Sequence, residues 1–338
     1  MTTRRTAIQA AAALLLGALI AGTAGAQTKE VVIGYQDMVV PWRYAQETQE
    51  VEKRTGYKVS YRKLGSGAEV ARALASGAIH IGEAGSSPFA SAISQGVPIE
   101  VFWILDNIND AEALVARNGS GVNTLADLKG KKIGLPYVST THFHALVALQ
   151  DAGVDPKTVQ ILNLRPPEIL AAWERGDIDA TFVWDPALAK VKQSGKVIVT
   201  SGQIAAKTGK ATFDALAVNK SFAKANDAFL AQFVQVLADA DKAYTGNKAA
   251  WTADSPQVRA IAKWSGAEAP TVPASLALYA FVPPAEQASA QWLGGGKDSV
   301  VARSLAATAA FLKEQGTIQS VLPDYSVGVN PRWVAQAK

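Results

Sequence analysis

The sequence predicts an α/β protein built as two lobes with a ligand cleft between them. Three observations carry that prediction. Short β-branched runs alternate with amphipathic stretches over residues 31–104, and the rhythm restarts over 113–218, so two βαβα units share one chain. The length of 338 residues suits about two domains. No low-complexity linker separates the units, an arrangement that suits two lobes with a cleft where small ligands sit.

The elements follow in order. Arg4 and Arg5, an apolar run over 10–20 and the small residues Ala24 to Ala26 read as a cleavable export signal over residues 1–26. No cysteine follows it to carry a lipid anchor. In the first unit, 31–35, 58–62, 79–82 and 99–104 read as strands. Between them, 42–54, 68–75 and 88–94 read as helices, the last two stopped by Gly77 and Gly96. In the second unit, 113–116, 132–135, 159–164 and 178–183 read as strands, and 215–218 closes the unit. Its helices are 125–128, 141–151, 167–175 and 187–193; Gly153 caps the second, and the third has Pro in its first turn and Gly176 at its end. From residue 221 the chain turns helical, with long helices over 222–244 and 299–315. Lobe 1 is thus expected from 27–110 and 217–338, and lobe 2 from 111–216.

Composition removes several functions. Apolar residues make up 49% and charged residues 18%, which gives a real core. Taking Arg4 and Arg5 away with the signal leaves 31 basic against 29 acidic residues, a charge of about +2, too small to draw nucleic acid. The chain has no cysteine, so disulfides, thiolate catalysis and cysteine-bound zinc are impossible. No phosphate loop, dinucleotide fingerprint or nucleophile elbow is present. His142 and His144 are two residues apart and face different sides of a helix, which argues against a metal pair. The expectation is a binding protein without cofactor or metal, not an enzyme.

Three segments suit a small anion with a cationic tail. Gly85-Ser86-Ser87-Pro88 follows a strand and opens a helix, where free N–H groups and the helix dipole favour an anion. Ser139-Thr140-Thr141 repeats that logic in the second unit. Plain helix capping explains either segment equally well by itself, but two such starts can face each other across a cleft. Neutral donors suit a reversible carrier, because a buried ion pair must be matched closely to offset its desolvation. Asp214, before an apolar strand, is either a turn residue or a partner for an ammonium group. Trp184 is a candidate pocket wall beside a helix start at Asp185-Pro186, Gln36 and Asp37 follow the first strand where strand ends meet a cleft, and Arg165 is expected in solvent.

These stretches resemble the sulfonate/nitrate-type solute-binding family of ABC importers. The resemblance is carried by residues 72–77, Gly85-Ser86-Ser87-Pro88, 97–102, 112–115, 139–142, 166–179, 311–316 and 324–326, which span nearly all of the chain after the signal. Ser-Thr-Thr-His at 139–142 and the Pro-Pro to Ala-Ala-Trp block are the marks of its taurine branch. The resemblance implies a two-lobed, type II periplasmic-binding-protein-like fold, taurine or another small sulfonate as ligand, a permease and an ATPase as partners, and a monomer in the periplasm. It implies Ser86, Ser87, Thr140 and Thr141 as sulfonate donors, Asp214 as ammonium partner, and Glu112, Trp184 and Gln36 as pocket neighbours. Ala215-Leu216-Ala217 stands where relatives carry a Trp, Arg165 stands where a Gln is familiar, and 105–111 differ, departures that bear on taurine itself more than on a small sulfonate.

Overall fold

A computed structural model describes residues 29–337, so the expected export signal over residues 1–26 lies outside the described residues. Within them the strands form two five-stranded sheets. The first contains β1 (Glu30–Tyr35), β2 (Lys58–Lys63), β3 (Ile81–Gly85), β4 (Ile99–Asn107) and β10 (Phe213–Asn219), in the order β2-β1-β3-β10-β4. The second contains β5 (Glu112–Arg117), β6 (Lys132–Leu135), β7 (Gln160–Asn163), β8 (Ala180–Trp184) and β9 (Gly195–Thr200), in the order β7-β6-β8-β5-β9. Each sheet is parallel through its sequential βαβ units and takes in a strand antiparallel to its neighbours: β10 in the first, β5 in the second.

Period-two burial explains the second sheet. Leu114, Ala116, Ala180 and Phe182 face one apolar cluster, while Ala113, Val115 and Val183 face the other, so helices cover both sides. The larger core of the first lobe joins its sheet to the helices Asp227–Gly246 and Val300–Glu314. The latter helix also reaches the second lobe, where the ring of Phe311 meets Phe143 edge-on at 5.2 Å between centroids.

Several expected boundaries move. The strand around 215–218 is β10, which pairs with β3 and β4 and so belongs to the first sheet, not the second. An expected lobe boundary at 216 would cut this strand in half. The chain therefore crosses between lobes at 108–111 and again at 209–212, just ahead of β10. The helix expected over 42–54 is two helices, Arg43–Glu47 and Glu50–Thr55, broken where Gln49 takes a left-handed φ of 56°. The helix expected over 222–244 divides at Asn226 into Lys220–Ala225 and Asp227–Gly246. Strand β9 and the helix Ser201–Thr208 were not foreseen.

Candidate functional site

Two helix starts meet between the lobes. From the first lobe, β3 runs through Gly85 directly into the helix Ser86–Ser94. Gly85 is the N-cap and offers no side chain, so Ser86 and Ser87 lie inside the first helical turn rather than ahead of it. Both hydroxyls are buried and have no hydrogen-bond partner. They are not capping groups, and the first-turn amides beside them have no partner within the helix. From the second lobe, the helix Thr140–Asp151 starts behind Ser139, whose Oγ accepts from the His142 amide at 3.0 Å. The two starts touch: a Cβ on Gly85 would lie 2.6 Å from Thr140 Cγ2 and 3.2 Å from Asp214 Oδ1.

Gln36, Met38, Gly67, Gly85, Pro88, Glu112, Ser139, Thr140, Trp184 and Asp214 line a cavity at this junction, with a volume of about 20 Å³. Five residues singled out in the sequence, Gln36, Glu112, Thr140, Trp184 and Asp214, are therefore brought together from both lobes. Ser86 and Ser87 follow the lining residue Gly85 directly. Thr141 is drawn into the helix cap instead, with its Oγ1 2.7 Å from Ser139 Oγ, and Ser139 lines the cavity in its place.

Two carboxyl groups line the cavity, Glu112 from the second lobe and Asp214 from the first. Glu112 is held by Thr140 Oγ1–H on one oxygen and by Ser201 Oγ–H at 3.0 Å on the other. Burial lifts its carboxyl to about 7, with those two hydrogen bonds pulling the other way. Asp214 is 5% exposed, and burial, then Glu112 and Glu83, push it well above the usual carboxylate range. Glu83, fully buried on β3, pairs with Arg43 and accepts from the Gln36 amide and Trp42 Nε1–H, each at 3.2 Å. Arg43 also donates to the Gln36 carbonyl at 3.0 Å, so Gln36 is held by both its backbone N–H and its carbonyl.

Other contacts join the lobes around the cavity. Trp184 Nε1–H donates to Asp37 Oδ1 at 3.1 Å. Asp185 accepts from Ser275 Oγ–H and from the Ala189 amide, the latter at 2.7 Å. It therefore caps the helix Ala187–Val191 as expected, although Pro186 occupies the N-cap position. Arg165 is exposed as expected, and it reaches Glu69 of the first lobe at 3.6 Å as well as Glu168. His144 is buried between Ser201 Oγ and the Lys210 carbonyl at 2.7 and 2.8 Å, and His142 stacks on Tyr137, so the two histidines serve the scaffold. Sequence reading missed Asp106 and Ser201. Ser201 starts an unforeseen helix, and Asp106 ends an apolar run whose partner strand is a hundred residues away.

Comparison with known proteins identifies the family and the fold. Residues 34–271 match the family described as ABC transporter, phosphonate, periplasmic substrate-binding protein. The chain is 38% identical over 320 residues to the taurine-binding periplasmic protein of Escherichia coli, covering 95% of this chain and 97% of that one. It is 28% identical to a putative aliphatic sulfonates-binding protein of the same organism, over 78% of this chain and 80% of the other. Among solved structures, the alkanesulfonate-binding protein of Xanthomonas axonopodis pv. citri bound to MOPS superposes with a TM-score of 0.73 at 25% identity, covering 87% of this chain and 96% of that chain. On its two-lobed fold, its interlobe cavity and these matches, the chain belongs to the periplasmic substrate-binding proteins of ABC transporters, in the group that includes the taurine- and aliphatic-sulfonate-binding proteins.

Proposed function

We propose that the protein captures taurine in the interlobe cleft and presents it, enclosed, to a membrane permease and its ATPase. In this reading it performs no chemistry, works as a monomer and reaches the periplasm by its cleaved N-terminal signal. One observation carries the reading. At the cavity, two unpartnered serine hydroxyls at a helix start stand next to a buried carboxylate, Asp214, the cross-strand partner of Gly85. A sulfonate is always ionised and has three acceptor oxygens, which suit the Ser86 and Ser87 hydroxyls and the free first-turn amides of both helices, that of Thr140 included. The ammonium end suits Asp214 with Glu112 beside it.

The cavity of about 20 Å³ holds roughly one water, so taurine enters when the lobes part and is enclosed as they return. Closure brings Thr140 against Gly85 and Trp184 against Asp37, and the importer reads that closed shape. A second reading, an alkanesulfonate without an amine, draws on the names of the aliphatic-sulfonate relatives. Asp214 separates the two. Asp214→Ala is expected to weaken taurine by about tenfold or more while sparing ethanesulfonate, as measured by calorimetry. Equal losses for both ligands would remove Asp214 from the ammonium site.

A further inference from the structure

Asp106 is 0% exposed, and both of its carboxylate oxygens are buried without a hydrogen-bond partner. A buried carboxyl left in that condition is costly, and native proteins keep few of them without a use. Asp106 on β4 is the cross-strand partner of Asp214 on β10, with the register shift starting after Asp214. Cross-strand partners share one face of the sheet with Cβ atoms about 5 Å apart. Asp214 lines the cavity, and so does Gln36, whose Oε1 is also buried without a partner. An ammonium group has three N–H donors; Asp214 and Gln36 line the cavity, and Asp106 stands beside Asp214 as its cross-strand partner.

We infer that Asp106 is the second carboxylate of the cation subsite, standing behind Asp214, and that this pair selects sulfonates carrying a protonated amine over those without one. The inference rests on the taurine reading above. The groups around the pair are Glu83 from β3, Glu112 from β5, Asp241 from the helix Asp227–Gly246, and Tyr279. Arg43 is committed to Glu83, Gln46 and the Gln36 carbonyl. Two neighbouring carboxyls in such surroundings do not both ionise without a cation, so the free pair holds a proton. The arriving ammonium group displaces that proton to solvent and takes its place.

Asp106→Asn keeps the side chain's size and removes its charge. Calorimetry of wild type and variant with taurine and with ethanesulfonate, at about pH 5.5 and about pH 8, gives the test. Wild type is expected to prefer taurine and to bind it more tightly at the higher pH. The variant should lose about tenfold or more in taurine affinity, keep ethanesulfonate, and show a flatter pH dependence for taurine. Asp106→Ser removes the charge with less bulk and gives the same comparison if the amide variant does not fold. Equal changes for both ligands, or unchanged taurine binding with an unchanged pH slope, would make Asp106 a structural residue and overturn the inference alone. A wild type that fails to prefer taurine over ethanesulfonate would overturn the taurine reading and this inference together, and that result needs no variant.

Discussion

Glu112 shows how a single residue ties the site to stability. Its carboxyl is lifted from 4.5 to about 7 by burial, so the folded protein holds a proton that the unfolded chain has already released in that window. Stability from this group is complete below about pH 4.5, falls as pH rises towards 7, and is level above, a change of about 3 kcal/mol. Glu112→Gln imitates the protonated form, so its urea-unfolding free energy should lack this decline between pH 4.5 and 7. A variant that declines as steeply as wild type would place the titration elsewhere. At this scale the sequence exposed the residues with a local signature, hydroxyls at helix starts and the acid Asp214 before an apolar strand, while Glu112 came only from the family resemblance. It did not expose Asp106, because its meaning comes from pairing with Asp214 across a register that no local pattern encodes. Nor did it distinguish Thr141 from Ser139. Both are hydroxyls at one helix start; Ser139 is the cap and lines the cavity, and its hydrogen bond with Thr141 keeps the Thr141 hydroxyl out of the cavity lining.

Among the elements, the junction of β3 with the helix Ser86–Ser94 carries the most consequence. Gly85 has an ordinary φ of −70°, so its freedom of conformation is not what matters. Space matters: an added Cβ would lie 2.6 Å from the Thr140 methyl of the other lobe. Gly85→Ala should therefore leave each lobe folded yet oppose closure, at a cost of about 1–3 kcal/mol. That corresponds to a roughly 5- to 150-fold loss of taurine affinity with little change in the thermal unfolding of the free protein. Adding Thr140→Ser, which removes the opposing methyl, should recover part of the loss. No recovery would mean that Gly85 acts within its own lobe. Most strands were legible because they are short, nearly continuous apolar runs whose successive residues enter cores on both faces of the sheet, as in β5 and β8. The sheet that owns β10 was not legible, since Phe-Asp-Ala-Leu-Ala-Val pairs equally well in either sheet by pattern alone. Strand β9 lay hidden because it is an edge strand with half-exposed residues, and the break at Gln49 lay hidden because no Gly or Pro marks it.

On the scale of the whole molecule, two α/β lobes with a cleft follow from the repeated βαβα rhythm, and the fold bears this out. The chain crosses between them twice, and contacts such as Trp184 with Asp37, Asp185 with Ser275, and Arg165 with Glu69 hold the cleft shut. The exposed Arg165 pair contributes about 1 kcal/mol or less, whereas Trp184 donates to the half-buried carboxylate of Asp37 and counts for more. Closure of this kind buries the whole ligand, so each end must be matched or its desolvation goes uncompensated. The measurement that tests this most directly is calorimetric titration of the mature protein with taurine, ethanesulfonate and β-alanine. The account predicts that taurine binds much more tightly than both, since ethanesulfonate lacks the ammonium group and β-alanine the sulfonate. Ethanesulfonate binding as tightly as taurine would contradict it, leaving the carrier role intact but moving the ligand to an alkanesulfonate.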